Sequence, residues 1–323
     1  MQLSEGYVDS SGVRIHFVEA GSGPLVVLVH GFPEGWYSWR HQIDHLASRG
    51  WRCVAIDNRG YGLSDNPAGT EHYTAMHLAG DVIAVAGALQ QGPFALVGHD
   101  WGASIAWHTA LFRPDLVSAV AGLSVPYAAR PPVPPMRILR QRVGEGFYQV
   151  YFQEPGVAEA ELEADVSRSL AALFYAVSGE AGLKHGISTL TKLPGKSLLD
   201  SLPEPPVELM SWLSPLDLRQ FADGFRRNGF AGPLSFYRNM DRNWGLTAPW
   251  EGKKIEPPAL FVAGQLDPVV NFPGAKANLE SMRERFASLE GVELIPEGGH
   301  WIQQEKPPAV NRLLEEFLAK HRG

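Results

Sequence analysis

The segment Phe94-Ala-Leu-Val-Gly98-His99-Asp100-Trp101-Gly102-Ala103-Ser104 puts one carboxylate between two glycines, each two residues away, where an apolar strand pattern runs into a helical one. This spacing suits a strained turn that lifts the middle side chain above a sheet, because small flanking residues avoid a collision. A carboxylate at a helix N-terminus is ionised and favoured by the dipole and the free amides, so Asp100 can attack an electrophilic carbon without a base to activate it. A serine in that place makes acyl-enzymes. An aspartate makes an alkyl ester by displacement at saturated carbon, and that ester must then be hydrolysed. The plain alternative, Asp100 as a helix N-cap, does not call for glycine on both sides. A dinucleotide-binding turn fails, since Asp100 and Ala103 stand where its second and third glycines belong.

Hydrolysing such an ester needs a general base and a group to orient it. Among 11 histidines, His300 in Glu297-Gly-Gly-His-Trp301 is the best base, because it directly follows the strand pattern Val292–Ile295 and so lies on a loop level with Asp100. Asp267, in Leu260-Phe-Val-Ala-Gly-Gln-Leu-Asp-Pro268, follows another strand pattern and can accept from the imidazole; it also reads as a turn-initiating Asp before Pro. The order nucleophile, acid, histidine is one of the known orders of hydrolytic triads, the one found with a nucleophile on such a strand-to-helix turn. Leu25–Val29 runs into His30-Gly31-Phe32-Pro33-Glu34, where the Phe32 amide can join the Trp101 amide as an oxyanion hole; a simple strand exit is the blander reading. Asp57–Ser64 reads as a structural turn whose Arg59 satisfies carbonyls. His41 and His45 lie one helical turn apart, but no third ligand is evident, so a half-exposed helix face is the better reading and no metal is expected. Cys53, the single cysteine, reads as a buried thiol.

The elements that must hold these residues alternate as a parallel sheet with crossover helices requires. Strands are expected at Val13–Glu19, Leu25–Val29, Val54–Ile56, Phe94–Val97 and Leu116–Val125, with helices at Trp39–Arg49, His77–Leu89 and Ala103–Phe112. From Tyr127 the pattern breaks into Arg130-Pro-Pro-Val-Pro-Pro135, then helical stretches at Glu159–Val177 and Leu216–Arg227 with a Pro-rich link at Leu202–Pro206. Strand patterns return at Pro258–Gly264 and Val292–Ile295, with helices at Ala275–Phe286 and Pro308–Lys320. The simplest organisation is a core of residues 1–126 and 245–323 interrupted by a helical insertion, residues 127–244, over the sheet edge where ligands bind in open α/β folds.

Composition excludes several classes. Of 323 residues, 45% are hydrophobic and 20% charged, ordinary for a packed globular chain, so disorder, collagen and coiled coil are out. Lys and Arg number 28 against 35 Asp and Glu, a net −7 that offers no basic field to nucleic acid or an anionic membrane. No apolar run approaches the ~20 residues of a membrane span. With one cysteine and no leader-like N-terminus, a cytoplasmic location is the expectation.

The chain resembles the soluble epoxide hydrolases of the α/β-hydrolase superfamily over nearly its whole length. The likeness rests on His30-Gly-Phe-Pro-Glu34, Tyr37-Ser-Trp-Arg40, Gly98-His-Asp-Trp-Gly102, Tyr148-Gln-Val-Tyr-Phe-Gln-Glu-Pro-Gly156, Pro233-Leu-Ser-Phe-Tyr-Arg-Asn-Met240 and Gly299-His-Trp301. It implies an α/β-hydrolase fold, with a mostly parallel eight-stranded sheet flanked by helices and an inserted helical cap. It also implies that Tyr148 and Tyr237 on the cap hold and protonate the epoxide oxygen, with Tyr151 as competitor for the first role. The chemistry asks for such donors: charge builds on the leaving oxygen opposite Asp100, and a phenol with pKa about 10 can protonate an alkoxide while staying un-ionised at neutral pH. Phe32, Trp101, Trp301 and Tyr151 are the expected substrate-binding residues. The expected partner is a small hydrophobic epoxide, opened to a vicinal diol with no cofactor; a homodimer stays open. The rivals are a haloalkane dehalogenase, which shares the Asp turn followed by Trp but cradles its halide with indole and Asn N–H groups, and a non-catalytic ligand-binding homologue.

Overall fold

A computed structural model describes residues 3–90 and 92–322. Its strands are β1 (Ser4–Ser10), β2 (Val13–Ala20), β3 (Leu25–Val29), β4 (Arg52–Ile56), β5 (Phe94–His99), β6 (Val117–Leu123), β7 (Ala259–Gly264) and β8 (Leu289–Ile295). They form one sheet in the order β1-β2-β4-β3-β5-β6-β7-β8. β2 pairs antiparallel with both its neighbours and every other pairing is parallel. This is the α/β-hydrolase architecture expected. The periodicity reading found seven of the strands and missed β1. That strand is an edge whose side chains are mostly exposed, with Glu5, Tyr7 and Asp9 in its run, so it carries no apolar stripe to detect.

The central strands are apolar because they are covered on both faces. β3, β5 and β7 are buried at every position. Alternate residues serve different layers, as the pleat dictates. Val26, Leu28 and Val97 face a cluster with Trp39, Leu46, Val310 and Leu314, under helices Arg40–Ser48 and Pro307–Ala319. Leu25, Val27, Val29 and Leu96 belong to the opposite cluster, which continues without a break into Phe152, Phe174, Phe230 and Tyr237. One face of the sheet therefore shares its core with the inserted segment.

Between β6 and β7 no strand occurs among the described residues; helices run from Pro135–Val143 to Met240–Leu246. The helical stretches expected around 159–177 are two helices, Val157–Ala164 and Val166–Ala176, divided where Asp165 leaves the helical conformation and caps the second through the Arg168 amide. The expected return to the core at 245 falls inside helix Met240–Leu246. The helix expected over Ala275–Phe286 ends at Glu280 and continues as a short 3-10 turn, Met282–Arg285.

Candidate active site

β5 hands over to helix Trp101–Phe112 through Asp100, which has φ +54° and ψ −120°. A side chain at positive φ is costly and survives only where the surroundings impose it. Here they do. A Cβ at Gly98 would strike the Gly102 carbonyl, and one at Gly102 the Val29 carbonyl. The Asp100 carboxylate makes no bond to its own helix. It accepts the Phe32 amide at 2.8 Å and lies 3.4 Å from His300 Nε2. A Cβ at Gly31 would occupy the space of that carboxylate, so the glycine clears its approach. The N-cap alternative is thereby set aside: the side chain points outward from the turn, not back to the helix.

His300 Nδ1 donates to Asp267, whose two oxygens lie at 3.0 and 3.1 Å. Asp267 Oδ1 also accepts the Val269 amide at 2.9 Å as N-cap of the short helix Pro268–Asn271. One carboxylate meets both readings of that residue. Burial opposes charge on the His300 ring, yet Asp267 and Asp100 outweigh it and hold its pKa well above the ordinary histidine range. Burial likewise opposes charge on Asp100, and the bond and charge of His300 overcome it, leaving the carboxyl below its usual range. Asp100 and His300 are therefore a buried ion pair before any substrate arrives.

Above Asp100 lies a narrow, mostly apolar cavity lined by Phe32, Asp100, Tyr148, Tyr237, His300 and Trp301. The tyrosines come from the inserted segment, with ring centroids 5.8 Å apart at 78°. Burial, and then the Asp100 charge, pushes both phenols above their ordinary pKa, so they are protonated donors. Gln149 Nε2 donates to the Tyr148 hydroxyl at 2.9 Å, which leaves the hydroxyl hydrogen free to point elsewhere. Gln153 Nε2 donates to the Tyr237 carbonyl at 3.1 Å and the Gln149 carbonyl at 2.8 Å, tying together two segments 84 residues apart. Arg238 adds a bond to the Phe152 carbonyl at 3.0 Å and a two-pronged pair with Glu159 at 2.7 and 3.0 Å.

Two expected substrate contacts fall elsewhere. Tyr151 donates to Glu161 at 2.6 Å and does not line the cavity, because that carboxylate captures its hydroxyl. The Trp101 ring stands behind Tyr237, centroids 5.0 Å apart, and faces a separate groove; it supports a cavity residue without lining the cavity. Trp301 does line it, but its indole N–H is spent on the Phe174 carbonyl at 2.7 Å.

Sequence reading gave no role to a buried network beneath the site. His99 Nδ1 pairs with Glu34 at 2.7 Å, and the other His99 nitrogen bonds the His300 carbonyl at 2.8 Å. Glu34 also accepts the Gly31 amide at 3.0 Å and the side-chain amides of Gln303 and Gln304. This links the loop bearing Phe32 to the loop bearing His300. Both residues stood in the motifs quoted above, but spacing alone could not show that they meet. Arg59 satisfies one carbonyl, that of His72, and spends its other donors on Asp81. His45 bonds Glu315 at 2.7 Å, and Cys53 is a buried free thiol. Among the described residues no group of three or more His, Cys, Asp or Glu is arranged to hold a metal ion, and no helix is long and apolar enough to cross a membrane.

Residues 24–307 match the alpha/beta hydrolase fold family. "Epoxide hydrolase A" of Mycobacterium tuberculosis is 42% identical over 98% of this chain and 97% of its own length. "Epoxide hydrolase 3" of Siraitia grosvenorii is 39% identical over 99% of each. A solved structure, the epoxide hydrolase from an endophytic Streptomyces, superposes with a TM-score of 0.94 at 44% identity, covering 99% of this chain and 96% of that one. The chain belongs to the epoxide hydrolase family within the α/β hydrolases.

Proposed function

We propose that this protein opens a hydrophobic epoxide to a vicinal diol through an ester on Asp100, with residues 127–244 acting as a cap over residues 1–126 and 245–323. One observation carries the reading. The ionised Asp100 faces two protonated phenols across a single apolar cavity, with the His300–Asp267 pair beside it.

The steps follow from the charges. Asp100 forms a C–O bond to an epoxide carbon as the ring C–O bond breaks, and the departing oxygen takes a proton from Tyr148 or Tyr237. Esterification removes the negative charge that helped hold a proton on His300, so the ring's pKa falls and its proton restores the phenol. Neutral His300, oriented by Asp267, then takes a proton from water as the water oxygen attacks the ester carbonyl. The Phe32 amide, already on Asp100 Oδ1 at 2.8 Å, stabilises the oxyanion, joined by the Trp101 amide at the start of its helix. Collapse expels the diol oxygen, which takes the proton back from His300. The regenerated carboxyl group returns its own proton to the ring, restoring the ion pair.

A dehalogenase would need free indole N–H donors around the leaving group. The two tryptophans next to Asp100 and His300 do not offer them: Trp101 does not line the cavity and the Trp301 N–H is already bonded. The test is a single turnover with excess enzyme in oxygen-18 water. The expected result is an unlabelled first-turnover diol and label in the Asp100 carboxylate. Label in that first diol would remove the covalent step, and halide release from bromoalkanes without epoxide turnover would install the dehalogenase instead.

A further inference from the structure

Glu305 takes no part in these steps, yet its carboxylate is set against the loop that carries His300. Oε1 accepts the Trp301 amide at 3.0 Å, and Oε2 accepts the Gly299 amide at 3.0 Å and the Gly179 amide at 2.8 Å. The first two amides flank His300 in sequence. The third opens helix Gly179–His185 of the inserted segment. Between them, the amide of His300 itself donates to the Val177 carbonyl at 2.9 Å. Three consecutive amides of the histidine loop are thus tied down, two by one carboxylate and one by the backbone of the inserted segment.

The seam has no slack. A Cβ at Gly299 would collide with the Gly179 amide nitrogen, and one at Gly179 with the Glu297 carbonyl. A group that accepts three amides with two oxygens holds their relative positions as well as satisfying them. Its neighbours offer no simpler explanation as an ion pair. Asp267 is a second carboxylate, Lys306 pairs with Glu297 at 3.8 Å, and Glu180 accepts from Ser211.

We propose that Glu305 is a positioning residue that latches the inserted segment to the His300 loop and so sets the aim of the imidazole for the hydrolysis half of the reaction. The inference rests on the two-step reading above. Ester formation uses Asp100 and the tyrosines, whereas hydrolysis needs the ring of His300 placed to within a fraction of an ångström of its water. Loosening the loop should therefore split the two halves.

The test compares Glu305→Gln, which keeps one carbonyl acceptor, and Glu305→Asp, which keeps the charge on a shorter stem, with the parent. Expected in rapid-mixing experiments is ester formation within about twofold of the parent and hydrolysis slower by on the order of tenfold. The alkyl-enzyme then accumulates by intact-mass spectrometry, and exchange of the Gly179, Gly299 and Trp301 amides quickens while β5 amides stay protected. Equal slowing of both halves, or unchanged amide exchange in a folded variant, would overturn the latch. If Glu305→Gln does not fold, the same readings on Glu305→Asp decide. If the parent turns over no epoxide, the function reading falls and amide exchange alone decides the latch.

Discussion

The sheet core and the inserted helical segment supply opposite sides of one cavity, and they hold their reactive groups by different means. In the core, backbone geometry positions Asp100, and buried side chains then fix the His300 loop through Asp267, His99 and Glu34. Asp100 rides a turn at φ +54° that neighbouring glycines make feasible, and His300 and Asp267 sit on loops that leave β8 and β7. In the inserted segment, side chains do it: Gln149 holds the Tyr148 hydroxyl, while Gln153 and the Arg238–Glu159 pair tie the Tyr148 segment to the Tyr237 segment. A strained backbone turn depends on the glycines packed around it, here Gly98, Gly102 and Gly31. A side-chain tie is lost with one residue. The difference teaches that the placement of Tyr148 and Tyr237 should be tunable through Gln149, Gln153 and Arg238 without touching the Asp100 turn.

The sharpest division comes from Asp100→Asn. With the proposed nucleophile gone and the fold's strained turn still occupied by a residue that tolerates positive φ, steady-state diol formation should fall by at least on the order of 10⁴-fold, with the thermal midpoint close to the parent's. A large loss of stability in this variant would mean that the carboxylate holds the turn and does not merely ride on it.

Next in size are Tyr237→Phe and Tyr148→Phe, which leave the core untouched. Each should cost about 3 kcal/mol in the barrier to ester formation, by analogy with deletion of one oxyanion donor, and leave hydrolysis of a preformed ester nearly unchanged. Stopped-flow measurement of the two half-reactions checks this, and slowed hydrolysis would show that the phenols serve the core chemistry too. Smallest is Gln153→Leu, which cuts the tie without removing a reactive group. Losing two hydrogen bonds to backbone carbonyls should cost on the order of 1–2 kcal/mol, seen as slower ester formation with both tyrosines present. No change would place the burden of the tie on Arg238 and Glu159.

Legibility in the sequence follows the same division. Asp100 could be read because its turn, flanking glycines, strand and helix all lie within eleven residues. His300 and Asp267 could be read because each directly follows a buried strand pattern, and chain order places strand ends together in a parallel sheet. The edge strand β1 was not legible, since a half-solvated edge needs no apolar alternation. The choice between Tyr148 and Tyr151 was not legible either. They sit at the two ends of one short helical turn, where both hydroxyls are chemically equal, and only Glu161, ten residues on, removes Tyr151 by taking its hydroxyl.

The sequence by itself determined the sheet core, the helical insertion, the place of Asp100 at the turn after β5, and the type of chemistry an ionised carboxylate at a strained turn can do. These depend on neighbours in the chain, where residue type and spacing act directly on backbone conformation. Only the tertiary structure decided that Tyr148 and Tyr237 line one cavity with Asp100, that His99 and Glu34 join the loop bearing Phe32 to the loop bearing His300, and that Glu305 gathers amides from both sides of the seam. Each of those depends on bonds between segments far apart in the chain, whose geometry is set by how the layers pack and leaves no periodic trace in the residues that make them.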